Sequence, residues 1–129
     1  MIKIPTRVLL VDDEIDFVEM LSLRLEEMGE RVTKAYSGQE CLKILAENGI
    51  DVVILDILMP GMDGIEASEE IQKLNIPEPQ PLIYAMSAAI APFQQERCIR
   101  AGMKGFISKP ILIENLEQPL KQAEAEIEA

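Results

Sequence analysis

The chain has 129 residues, 48% of them hydrophobic, which suits one globular domain with a core of ordinary size and leaves no room for a second. Its 12 basic against 23 acidic residues give a net charge of −11, which argues against a domain that grips nucleic-acid phosphates by itself and favours a cation or a basic partner. It has no His, which removes the usual neutral-pH base and the commonest metal ligand, and its apolar runs are too short to span a bilayer.

Met1-Ile2-Lys3-Ile4-Pro5-Thr6 carries no apolar leader, so a soluble, cytoplasmic protein is expected, with a core over about residues 6–123. Short β-branched runs near 7–11, 31–36, 51–57, 82–87 and 104–108 alternate with longer segments of helical period, which predicts βαβ units and a parallel sheet with right-handed crossovers. After the first run, Phe17, Leu21, Leu25 and Met28 form an apolar stripe that ends at Gly29, leaving Asp16, Glu19 and Glu26 for solvent. Ser37-Gly38-Gln39-Glu40 fits a capping box and opens a second helix through Cys41, Leu42 and Leu45 to Asn48-Gly49. Asp63 caps a third helix carrying Ile65, Ile71 and Leu74, which the stiff loop with Pro77, Pro79 and Pro81 stops. Pro92 starts a fourth helix that ends at Gly102, and a fifth runs from about Leu112 to the C-terminus. Pro119 lies inside that helix, lacks an N–H and crowds the carbonyl of Asn115, so a kink or a split is expected there; Glu124–Ala129 is expected to fray as a tail or the start of a linker. Cys41 and Cys98 fall in amphipathic segments and read as small core residues, and the seven methionines as core filler.

Five polar residues stand at or just past the ends of apolar runs: Asp12 and Asp13, Asp56, Ser87 and Lys109. If those runs are parallel strands, these side chains converge on one edge, where open α/β sheets bind ligands. Three carboxylates in one crevice cannot all stay ionised without compensation, and a hard divalent cation supplies it. Magnesium suits a small, open, acidic site better than calcium does. A carboxylate can also act as nucleophile toward a phosphoryl group when a metal and fixed donors neutralise the transferring oxygens. Asp56 follows the most uniformly apolar run, which should be central, and is the best acceptor; Asp12 and Asp13 are better placed to hold the cation. Taken singly, each has a duller explanation: Asp12-Asp13 as a helix cap, Pro60-Gly61 and Asp63-Gly64 as a turn, Ser87 as a turn hydroxyl, Lys109 as a solvated charge and Phe106 as core.

Val8-Leu9-Leu10-Val11-Asp12-Asp13-Glu14, Asp56-Ile57-Leu58-Met59-Pro60-Gly61-Met62-Asp63-Gly64, Met86-Ser87-Ala88, Ala101-Gly102 and Phe106-Ile107-Ser108-Lys109-Pro110 together resemble the receiver domain of two-component response regulators, in the right order over nearly the whole chain. The resemblance implies a doubly wound, flavodoxin-like (CheY-like) α/β fold with five parallel strands ordered 2-1-3-4-5 and five helices. It implies Asp56 as phosphoacceptor, with Mg2+ (Mn2+ as substitute) held by Asp12, Asp13, Asp56 and the carbonyl of Leu58. Lys109, Ser87 and the backbone N–H of Ala88 would bind the phosphoryl oxygens. Ser87 and Phe106 would be the switch pair, and the Lys109–Pro110 peptide bond would be cis. Phe106 has no hydroxyl, so packing alone would favour its inward state. Leu58 and Ala89 occupy the positions that could orient an attacking water and cannot do so, which predicts slow loss of the phosphoryl group.

The implied function is a phosphorylation-controlled signalling switch rather than an enzyme. A sensor histidine kinase or histidine phosphotransfer protein would donate, docking near Ile15, Val18 and Ser22 and near Ile111. An unknown output would be reached through the face made by the fourth helix, fifth strand and fifth helix, with no direct contact to nucleic acid or membrane; the resemblance leaves room for a dimer of the phosphorylated form. One rival is a constitutive, unphosphorylated interaction module, against which the complete set of five residues argues. Another is a magnesium-dependent phosphatase with an aspartyl intermediate, but haloacid-dehalogenase-like enzymes place a second Asp where Leu58 stands. A dinucleotide oxidoreductase lacks its G-x-G-x-x-G after the first strand.

Overall fold

Val8 to Val11 and Val52 to Leu55 are wholly buried although successive side chains point to opposite faces, the mark of strands covered by helices on both sides. The computed structural model describes residues 5–77, 79–88, 91–109 and 113–128. The strands are β1 (Arg7–Val11), β2 (Arg31–Ala35), β3 (Val52–Asp56), β4 (Leu82–Ser87) and β5 (Gly105–Ser108). The helices are α1 (Ile15–Glu27), α2 (Gly38–Glu47), α3 (Gly64–Lys73), α4 (Pro92–Arg100) and α5 (Ile113–Glu128). All strand pairs are parallel, in the order β2-β1-β3-β4-β5, as expected for a doubly wound sheet.

The two-residue period splits the core into two layers. Leu9, Val11, Val53, Leu55, Ile83 and Ala85 pack with Cys41 and Leu45 of α2, Ile65 and Ile71 of α3 and Cys98 of α4. Val8, Leu10, Val52, Ile54, Tyr84, Met86 and Ile107 pack with Val18, Leu21 and Leu25 of α1 and Leu116 and Leu120 of α5. Both cysteines are buried and free, and burial pushes the Cys41 thiol up to about 12, so it stays protonated and behaves as a small apolar group. The methionines divide: Met59, Met86 and Met103 are core, whereas Met20 is exposed. Among the described residues no helix is long and apolar enough to cross a membrane.

Helix ends follow local chemistry. α1 and α4 each close with a left-handed glycine, Gly29 and Gly102; Glu30 N–H donates to Leu25 C=O and Met103 N–H to Cys98 C=O, the six-to-one bond of a Schellman cap. Ser37 Oγ accepts from Glu40 N–H, but the returning Glu40 carboxylate accepts from Tyr36 N–H rather than from Ser37. Asp63 and Glu66 form the full reciprocal box at α3. One expectation is corrected at α5: the helix is not split at Pro119 but is continuous from Ile113 to Glu128. Leu116, Leu120 and Ala123 anchor it in the core, and that burial outweighs the one backbone bond that Pro119 cannot donate.

Candidate functional site

Every strand ends toward the same edge, and the polar residues that close β3 and β4 or follow β1 and β5 are brought together there. Asp12 comes directly after β1 and is fully buried; its N–H donates to Ala35 C=O of β2, which fixes its backbone. Asp12 Oδ1 accepts from Glu14 N–H at 3.0 Å, so this carboxylate also steadies the entry to α1, whose cap residue Glu14 makes no side-chain bond of its own. Asp56 ends β3 and is 4% exposed, while Asp13 is exposed. One carboxylate oxygen from each of Asp12, Asp13 and Asp56 lies within 4.8 Å of the other two.

Lys109, just past β5, is rooted by its own N–H, which donates to Ser87 C=O at 2.9 Å. Its Nζ donates to Asp12 Oδ2 at 2.8 Å and stands 3.6 Å from Asp56 Oδ1. Burial alone would pull the ammonium down, but the hydrogen bond to Asp12 and the charges of Asp56, Asp12 and Glu14 outweigh it, so its pKa is raised and it stays charged. Asp56 is pushed up to about 6, first by burial and then by the Asp12 charge; Lys109 and the Leu58 backbone N–H, which donates to it, pull the other way. One ammonium therefore serves two carboxylates and leaves the cluster short of positive charge.

Ser87 is buried at the end of β4 and pairs in register with Ser108. Ala88, next in line, is exposed at the same edge. The Leu58 side chain is 70% exposed. The loop from Leu58 to Asp63 turns at Gly61 (φ 75°) and returns α3 against the strand end, where Gly64 N–H donates to Ile57 C=O and a Cβ on Gly64 would run into the Asp56 carbonyl. Phe106 is 36% exposed and pairs in register with Ala85 on β4.

The structure thus places Asp12, Asp13, Asp56 and Lys109 in one cluster and Ser87 at its β4 end, and leaves Phe106 outside the core. The Lys109–Pro110 bond, Ala89 and Ile111 lie outside the described residues. One expectation about α1 is corrected: Val18 and Ser22 are buried and cannot serve as docking contacts, whereas Ile15 is exposed, as are Glu19 and Leu23. Sequence reasoning puts Phe17 in the apolar stripe and assigns it no part in the site, yet its ring centroid lies 4.9 Å from Lys109 Nζ. Its only signal is an aromatic on the inner stripe of α1, one turn after the acidic pair.

The donor set fits magnesium. Three carboxylates within reach of one ion, with neither imidazole nor thiolate among them, match a hard cation that takes carboxylate and water oxygens. The raised pKa of Asp56 is the electrostatic demand such an ion would meet.

A sequence model of the response regulator receiver domain matches residues 8–121. Sensor histidine kinase RcsC of Salmonella typhi is 31% identical over 113 residues, 88% of this chain and 12% of that protein. Virulence sensor protein BvgS of Bordetella bronchiseptica is 32% identical over 127 residues, 95% of this chain and 10% of that protein. The chain spans about a tenth of the length of these two curated relatives. The chemotaxis protein CheY4 of Vibrio cholerae superimposes with a TM-score of 0.85 at 28% identity, over 93% of this chain and 99% of that one.

Proposed function

The chain belongs to the response regulator receiver domain family of two-component signalling, and from that premise we propose that it is a phosphoacceptor switch with Asp56 as the acceptor. The observation that carries the reading is the pairing of a buried Asp56 with Asp12 and Lys109 at one sheet edge. An Asp56 oxygen attacks the phosphorus of a phosphohistidine; the new O–P bond forms as the P–N bond breaks, and the leaving imidazole nitrogen keeps the electron pair and takes up a proton. Lys109, the Ser87 hydroxyl and the Ala88 N–H are the donors for the phosphoryl oxygens. Asp12, Asp13, Asp56 and the Leu58 carbonyl would hold magnesium, which when bound would supply charge neutralisation for the transferring group.

Phosphorylation replaces the single charge of the Asp56 carboxylate by up to about two on the phosphoryl group, a net gain of about one that is also moved outward onto the phosphoryl oxygens, and the domain responds only as far as its two conformations bind that charge differently. Ser87 and Lys109 sit at the ends of β4 and β5, so drawing them toward a phosphoryl group loads the strand–helix junctions on either side of α4. Phe93 and Ile99 of α4 and Phe106 of β5 are exposed, and they are the apolar residues that these two elements would offer to an output partner. Docking of the donor uses α1 through Ile15. The sensor kinases RcsC and BvgS, of which relatives of this domain form a part, favour a histidine kinase or phosphotransfer protein as that donor.

Intact mass after incubation with magnesium and a small acyl phosphate tests the reading. A gain of one phosphoryl group, lost in Asp56→Asn and on chelation, is expected. No gain in the parent protein would leave a constitutive interaction module in its place.

A further inference from the structure

Lys109 is held by a contact that metal and phosphoryl chemistry do not require. Its ammonium lies 4.9 Å from the centroid of the Phe17 ring as well as 2.8 Å from Asp12 Oδ2. Phe17 is the first residue of the apolar stripe on α1 and is half-buried against the Val18, Leu21 and Ile107 layer, so packing fixes the ring. An aromatic face attracts a cation through its quadrupole but carries no charge and accepts no strong hydrogen bond. The ring can therefore hold the ammonium without neutralising it, which a carboxylate cannot do.

We propose that Phe17 is a positioning residue, a cation–π seat that keeps the Lys109 ammonium over the carboxylates and so sets how hard a divalent cation must compete for Asp12. The inference rests on the reading of Asp12, Asp13 and Asp56 as the cation site. Lys109 donates to Asp12, and any ion bound through Asp12 shares that carboxylate with the ammonium. The ion pair with Asp12 has to hold a long, flexible lysine stem against its side-chain entropy, and the ring adds to that hold. The seat reduces that freedom and makes Lys109 a standing competitor of the metal in the resting domain. In the same way it keeps the ammonium at hand for an incoming phosphoryl group. At this position of α1 the aromatic ring is what matters, since a leucine would fill similar space in the core layer without attracting the charge.

Mn2+ binding followed by electron paramagnetic resonance, at fixed ionic strength, tests this without any phosphotransfer. Phe17→Leu is expected to tighten Mn2+ binding about two- to tenfold. Phe17→Tyr, which keeps the aromatic face, should stay close to the parent, and Phe17→Leu should add nothing in a Lys109→Met background. An independent signature is the Lys109 ε-methylene proton shift, moved upfield by the ring current in the parent and restored in Phe17→Leu. Equal Mn2+ affinity in the parent and Phe17→Leu, or the same gain with and without Lys109, would overturn the proposal. A parent that takes up no Mn2+ would sink the metal reading and this inference together. Mn2+ uptake with no phosphoryl gain would sink only the acceptor role of Asp56.

Discussion

Burial and the Asp12 charge hold the Asp56 carboxyl near 6 against an ordinary 3.8, so the folded protein binds this proton more tightly than the unfolded chain does. The sign follows: this group's contribution to stability falls as pH rises from about 4 to about 6 and stays low above, by at most about 3 kcal/mol for a shift of roughly two units. Asp56→Asn removes the charge and should stabilise the metal-free protein by about 1–3 kcal/mol at pH 7.5 and by little at pH 4. Urea melts at the two pH values decide it; an equal effect at both would mean the charge is not the cause. Two positions along, Leu58 is exposed at the mouth of the site and can neither donate to nor orient a water. Leu58→Asn should speed loss of the phosphoryl group, but by less than the about hundredfold that a full general base gives. Decay of the phosphorylated mass with time measures it, and an unchanged rate would remove the side chain from the mechanism. Asp12, Asp13, Asp56, Ser87 and Lys109 could be read from sequence because strand ends are marked by where apolar runs stop. Phe17 could not, because a ring that packs in the core and a ring that also meets a cation have the same helical phase.

At the scale of elements, alternation and caps placed the strand and helix boundaries to within a residue or two, since each end carries its own chemistry in Gly29, Ser37, Asp63, Pro92 or Gly102. The faces of α1 were harder. Its apolar stripe is wide enough to bury Val18 and Ser22 beside Leu21 and Leu25, and the width of a stripe depends on how closely the sheet and α5 approach, which periodicity does not contain. Pro119 failed as a helix breaker for a related reason, that tertiary burial overrides local propensity. Replacing it by Ala should return about 3 kcal/mol of helix propensity. Against this stand about 1.6 kcal/mol of lost burial for two methylenes and about 0.4–1 kcal/mol of added freedom in the unfolded chain. The net expectation for Pro119→Ala is a gain below about 1 kcal/mol, a rise of a few degrees in Tm. A clear loss of stability instead would show that the ring of this buried residue fits its site better than the sum of its methylenes.

The whole molecule carries a net charge of −11, with acidic side chains crowded at one sheet edge as well as spread over the helices. Any salt should stabilise such a chain by screening its self-repulsion, whereas an ion that binds only the folded site stabilises it by mass action on top of that. The two effects separate when Mg2+ and Na+ are compared at matched ionic strength. Screening depends on ionic strength alone to first order, so the common rise in Tm belongs to the whole charge distribution. The excess given by Mg2+ belongs to the site, and amounts to about 2.7 kcal/mol at a hundred times Kd. Asp12→Asn leaves the overall charge almost unchanged but removes a buried carboxylate that holds Lys109 and belongs to the proposed cation site. It should therefore keep the screening rise and lose most of the Mg2+ excess. An excess that survives in Asp12→Asn would place the cation on the general acidic surface rather than at the ends of β1 and β3, and the charge of this domain would then be a matter of solubility and partner choice alone.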